Sequence, residues 1–142
     1  MQRIIAVGAL LLALGGCATS PMSVSEARPV PADKMYALKD QGTKDSGRLT
    51  VFRDDVFVGA GCDAVLYIDG QRAAKIGPGQ KASFILPAGE VNLGTGLAES
   101  GLCAGAAIKT VASNIKPGKE VIYRISWDTQ GFYLGPYVEY RR

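Results

Sequence analysis

The chain has 142 residues, 47% of them hydrophobic and 20% charged, which is the composition of one globular domain. Its formal charge of +3 is spread without long runs, so no nucleic-acid-binding surface is expected. It contains no histidine, which removes the commonest general base, the usual metal ligand and the Ser-His and Cys-His nucleophile pairs. No catalytic residue, cofactor or metal is therefore expected.

The chain opens with a short cationic start, Met1-Gln2-Arg3, then an apolar run from Ile4 to Leu14, then Gly15-Gly16 directly before Cys17. This is the three-part plan of a secretory signal, and the run is well short of the roughly 20 apolar residues that span a bilayer. The sequence Leu14-Gly15-Gly16-Cys17 resembles the lipobox of bacterial lipoproteins. That resemblance implies cleavage before Cys17, leaving residues 1–16 as the signal, and acylation of Cys17. It also implies three acyl chains, and at about 0.8 kcal/mol per buried methylene even two give a stable membrane anchor. An aspartate after the cysteine favours inner-membrane retention in such proteins. Ala18 stands there instead, so the resemblance implies an outer-membrane anchor with the domain facing the periplasm.

Residues 18–31 carry Thr19, Ser20, Pro21, Ser23, Ser25, Pro29 and Pro31 without a strand or helix period, and they read as an extended linker. Asp33 to Gln41 is compatible with a short helix capped by Asp33, with Met35 and Leu38 on one side and Gly42 as its stop. These features assign residues 17–46 to a lipidated N-terminus and linker, and 47–142 to the folded domain.

Within the domain Leu49 and Val51 alternate with Thr50 and Phe52. Ala64 to Ile68 is a compact apolar run ending in Asp69-Gly70, and Gln71 to Ile76 follows at once. This predicts a hairpin, because a type I′ turn needs positive φ at both central residues and Asp-Gly tolerates it best. Further strands are expected at Lys81 to Leu86 after Gly77-Pro78-Gly79, around Val91 and Leu93 after Pro87-Ala88-Gly89, and more weakly at Ala106 to Ala112. The clearest period of two sets Val121, Tyr123, Ile125 and Trp127 against Ile122, Arg124 and Ser126. Trp127 is thus expected to face inward. Phe132 to Tyr140 closes the chain, with Pro136 marking an edge strand or a bulge. Seven or eight short strands with 18 glycines and 7 prolines between and within them predict an all-β, antiparallel β-sandwich.

The segments Val65-Leu66-Tyr67-Ile68-Asp69-Gly70, Ile76-Gly77-Pro78-Gly79 and Leu86-Pro87-Ala88-Gly89-Glu90-Val91 resemble a family of small bacterial lipoproteins of unknown function, and more distantly PEGA-type β-domains. The resemblance covers roughly residues 48–95 and bears on fold rather than activity, since each shared element is turn chemistry. The Gly-rich insert Gly94 to Gly105 departs from it.

Once Cys17 is set aside, Cys62 and Cys103 remain, and two thiols in an exported chain predict a disulfide. Asp54, Asp55, Asp63 and Asp69 lack the spacing of a calcium loop and read as solvated turn residues. Glu90, Glu99 and Glu120 are carboxylates that nothing in the sequence brings together. Two apolar or aromatic groups are candidate contact surfaces: Leu97 and Leu102 in the insert, and Tyr133, Tyr137 and Tyr140 near the C-terminus. The expected function is that of a lipid-anchored, non-enzymatic envelope module that binds or braces an envelope protein or glycan. The alternative is an inhibitor of a lysozyme-type wall-degrading enzyme, acting through the loop around Cys103.

Overall fold

The computed structural model describes residues 22–36, 42–55, 61–97, 103, 107–128 and 131–139. Among the described residues nine strands form two sheets: β1 (Arg28–Pro29), β2 (Ser46–Arg53), β3 (Ala64–Ile68), β4 (Gln71–Ile76), β5 (Gln80–Pro87), β6 (Gly89–Leu97), β7 (Lys109–Ile115), β8 (Glu120–Asp128) and β9 (Gly131–Pro136). One sheet has the order β1-β5-β2-β8-β9 and the other β4-β3-β6-β7. The expected all-β sandwich is present. Most pairs are antiparallel, but β1 runs parallel to β5 and β2 parallel to β8. The second parallel pair follows from topology. The chain leaves β2, builds the opposite sheet, and returns as β8 alongside β2.

The core lies between the sheets, where period-two alternation turns one set of side chains inward. Leu49 and Val51 of β2 meet Ala82, Phe84 and Leu86 of β5 and Ile125 of β8, facing Leu66 and Ile68 of β3 and Leu93 of β6. Val121 and Trp127 pack against this cluster on the parity that the sequence indicates, and Trp127 meets Phe132 edge-on with ring centroids 4.2 Å apart. The Asp69-Gly70 hairpin forms as expected, with φ of 48° and 78°. The strand expected at Ala106 to Ala112 instead runs Lys109–Ile115, and β9 ends at Pro136 on the sheet edge.

Two expectations at the N-terminal side are corrected. Residues 18–31 are not a free linker throughout: Arg28–Pro29 is a strand, the Arg28 and Val30 amides donate to the Gly79 and Lys81 carbonyls, and Ala27 and Val30 are buried. This is the ninth strand, and it moves the start of the folded unit upstream of residue 47. Two small hydrophobes three residues apart, Ala27 and Val30, are too weak a signal beside three prolines and three serines. The helix expected from Asp33 is, over the described residues, a 3-10 turn at Ala32–Lys34 that follows Pro31, after which Met35 bridges to Ala74 of β4. Pairing with a sheet edge overrides local helix propensity here, and residues 37–41 lie outside the described set. Residues 28–35 thus pass from the edge of one sheet at β5 to the edge of the other at β4, closing that side of the sandwich.

The two ends of the sandwich differ. One, the turn end, carries Asp69-Gly70, Ala88-Gly89 and Pro117-Gly118. The other, the disulfide end, carries the end of β2, Cys62, Cys103 and the Gly77 to Gly79 turn.

Candidate functional site

Cys62 lies two residues before β3 and is joined to Cys103 with an S–S distance of 2.05 Å and Cα atoms 5.6 Å apart. The bond closes the segment between them, 41 positions apart, and fixes Cys103 at the disulfide end. Beside it lies a side chain that the sequence reading did not single out. Arg53 is 1% exposed, and its guanidinium donates to the carbonyl oxygens of Cys62 and Ile76 while lying 5.9 Å from the centre of the Phe132 ring. Burial lowers its pKa, partly offset by the nearby Asp63 carboxylate. The signal was present: Arg53 continues the inward parity of Leu49 and Val51, and a cation there has to find acceptors.

The next residue points the other way. Asp54 is buried, not a solvated turn residue, because it accepts a two-pronged contact from Arg124 on β8, with Nε 2.9 Å from both carboxylate oxygens and an Nη group closing the pair. That hydrogen bond raises the Arg124 pKa, against a smaller opposing effect of burial. Asp63 likewise is not a lone turn carboxylate, since Lys34 Nζ lies 2.7 Å away and its pKa is raised by the contact. Asp69 accepts from the Asn92 amide at 2.8 Å and serves the hairpin. Among the described residues no group of three acidic, cysteine or histidine side chains is placed to hold a metal ion. Glu90 lies on β6 in one sheet and Glu120 on β8 in the other; Glu99 is outside the described residues.

The candidate contact residues separate. Leu97 packs against the core at the end of β6 and is partly exposed there. Tyr133 is 54% exposed on edge strand β9. A Cβ on Gly135 would fall 2.3 Å from the Tyr133 hydroxyl, so this glycine is what lets the phenol ring lie along the sheet. Tyr137 is half-buried and meets Phe52 edge-on at 4.8 Å. Phe52, Asp54, Arg124, Tyr133 and Tyr137 share the outer face of the five-stranded sheet, and the charge of Arg124 is felt by both tyrosines. Leu102, Tyr140 and Cys17 lie outside the described residues.

The rest of that outer face is crossed by the segment before β1. Ser23 Oγ donates to Glu139 at 2.8 Å, and Lys81 Nζ donates to the Val24 carbonyl at 3.1 Å. Beneath it Thr50 donates to Glu120 at 2.7 Å and shares a 2.9 Å hydrogen bond with Ser83. A groove of 290 Å³ remains between Val24, Ser25 and the side chains of Arg48, Thr50, Lys81, Ser83, Glu120 and Ile122. The outer face of the other sheet carries a pocket of about 410 Å³ by Tyr67, Gly94 and the exposed Ile108. These surfaces offer rigid aromatic and charged contacts. The described carboxylates are engaged in ion pairs or backbone hydrogen bonds at Asp54, Asp63 and Asp69. Comparison of the chain with protein-family models, curated proteins and solved structures gives no match.

Proposed function

We propose that the protein is a lipid-anchored lipoprotein of the cell envelope, attached through acylated Cys17 to the outer membrane on its periplasmic side. There it acts as a non-enzymatic module that binds or braces another envelope component, a protein or a glycan. The observation that carries this reading is the Cys62–Cys103 disulfide. Disulfides persist in oxidising compartments and are rare in reducing ones. The bond therefore supports the exported fate that the first 17 residues call for on separate grounds. The contact role rests on Tyr133, a large amphipathic side chain held in the open on a sheet edge beside the Arg124–Asp54 pair.

Replacing Cys17 with serine tests the anchor. The expected result is loss of lipid labelling together with an uncleaved or soluble product. Membrane fractionation and mass that both stay unchanged would overturn the reading.

A further inference from the structure

Strand β7 forms one edge of the four-stranded sheet, and the hydrogen bonds of its neighbour show which of its main-chain groups face outward. In β6 the amide and the carbonyl of Asn92 both bond to Asp69, at 2.8 Å each, on the side of β3. The residue opposite Asn92 in β7 is Ala112. Opposed residues of an antiparallel pair either exchange both hydrogen bonds or both turn away. Ala112 therefore directs its amide and carbonyl away from β6, and by alternation so do Thr110 and Asn114. The Tyr123 hydroxyl agrees, since it reaches the Ala112 carbonyl from the opposite sheet at 3.4 Å. That carbonyl keeps a second lone pair, and Thr110, Ala112 and Asn114 are all exposed. Among the described residues nothing accepts from their amides.

The other sheet edges are closed. Strand β5 is covered by β1, a two-residue strand that contains a proline, and β4 is met by the Met35 bridge and by the Tyr36 amide on the Ala73 carbonyl. In β9 the Tyr137 amide bonds to β8, so Pro136, Leu134 and Phe132 alternate to the free side. Pro136 has no amide to give, and Leu134 and Phe132 are buried. Strand β7 has seven residues with no proline and no bulge, none of the devices that usually blunt an edge apart from lysines at and beyond its ends.

We propose that β7 pairs antiparallel with β7 of a second copy of this chain, about a two-fold axis through Ala112, so that the four-stranded sheets of two molecules become continuous. The pairing does not depend on acylation of Cys17. In this register Ala112 exchanges hydrogen bonds with its own counterpart and Thr110 with Asn114, which uses every outward group of the edge. Lys109 falls opposite Ile115, and Lys116 falls opposite Ile108, so no lysine faces a lysine. Ile108 is 55% exposed on the outer face, and the aliphatic stem of Lys116 from the second copy can cover it. Because the remaining edges are closed, each copy offers only β7, and the assembly stops at two.

Sedimentation equilibrium of the full chain in detergent, from dilute to concentrated, is expected to show a monomer and dimer in exchange. Ala112→Pro removes one outward amide and no hydrogen bond to β6, at a position where an edge strand accepts proline. The dimer should be lost in this variant while its thermal transition is kept. Hydrogen exchange of the wild-type chain needs no variant to fold. The Thr110, Ala112 and Asn114 amides should slow as concentration rises through the dimer range, while those of Val111 and Ser113, bonded to β6, stay slow throughout. The register is read by oxidation. Ala112→Cys should form a disulfide between copies, since directly bonded pairs hold their Cα atoms about 5.5 Å apart. Lys109→Cys should not, because six residues of strand separate the two copies of that position by roughly 20 Å. A chain that is monomeric at every concentration overturns the pairing, whether its edge amides exchange freely or are protected by another part of the same chain. A dimer that survives Ala112→Pro with its edge amides unprotected uses a different face and overturns it too. Protection that appears only when a foreign polypeptide is added assigns the edge to that partner and not to a second copy. Crosslinking through Lys109→Cys in place of Ala112→Cys overturns the register.

Discussion

The two ends of the sandwich are held by different kinds of interaction. At the turn end the chain reverses through Asp69-Gly70, Ala88-Gly89 and Pro117-Gly118, where each glycine takes a positive φ and backbone-to-backbone hydrogen bonds join the segments, with Asp69 Oδ1 adding a side-chain acceptor for the Asn92 amide. Approach there is close enough that a Cβ on Gly47 would fall 2.3 Å from the Lys116 carbonyl oxygen. At the disulfide end side chains add links to the main-chain hydrogen bonds: Cys62 to Cys103, Arg53 to two carbonyls, Asp54 to Arg124, and Lys34 to Asp63. The turn end thus rests on main-chain geometry, while the disulfide end adds side-chain chemistry. The contrast places sensitivity to redox state at one end and sensitivity to backbone substitution at the other.

The largest expected effect comes from the covalent link. Reducing Cys62–Cys103, or replacing both with serine, should lower stability by about 4 kcal/mol, because the bond removes the entropy of a long loop from the unfolded chain. Denaturant unfolding with and without reductant measures it. If the two ends are independent to first order, hydrogen exchange should quicken first at the Cys62 segment and the end of β6, with the Asp69-Gly70 and Gly118 amides keeping their protection until global unfolding. Uniform loss of protection would break the comparison.

Next in size is the turn end itself. Gly70→Val should cost about 1 to 2 kcal/mol, since a β-branched residue at φ of 78° is strained and both β3 and β4 depend on that reversal. For a domain near 100 residues this amounts to a fall in Tm of roughly 4 to 16 °C. Reductant should lower the stability of the variant and of the parent by the same amount, because distant sites add. A variant whose loss is erased by reduction would show that the two ends act as one unit.

The same division explains what could be read in the sequence. Asp-Gly, Pro-Ala-Gly and Pro-Gly each announce a turn because the cause is local, the tolerance of positive φ. The strands between them followed from alternation, and Trp127 was placed inward on the parity it shares with Ile125. The disulfide was legible only because two cysteines remained to be paired. By contrast, Asp54–Arg124 joins residues 70 apart and Lys34–Asp63 joins residues 29 apart, and no local pattern marks either. Arg53 stood between: its inward parity was visible, its acceptors were not. The docked segment at 23–30 was hidden for a further reason, since a two-residue strand held by main-chain hydrogen bonds leaves almost no side-chain signature.

The smallest expected effect separates the long-range links by their exposure. Lys34 and Asp63 meet at 2.7 Å, but the lysine side chain is 36% exposed and the aspartate 26%, so water and salt screen the pair. Lys34→Met should therefore cost about 0.5 kcal/mol or less near neutral pH, in line with exposed ion pairs elsewhere. Its pH dependence is more telling than its size. The hydrogen bond to Asp63 raises the lysine pKa in the folded protein above the ordinary 10.5. The folded state therefore holds this proton more tightly than the unfolded one, and the contribution is fully present below about pH 10. It fades as pH climbs through the raised value, so the stability gap between wild type and Lys34→Met should close above that range. Urea unfolding at pH 7 and at pH 11 checks this, with a cooperative transition required at both. A gap of 2 kcal/mol or more at pH 7 would mean that this exposed pair, rather than the covalent bond and the buried Arg53, fastens the 3-10 turn to the disulfide end. A gap that persists unchanged to pH 11 would mean that the lysine acts through the packing of its aliphatic stem and not through its charge.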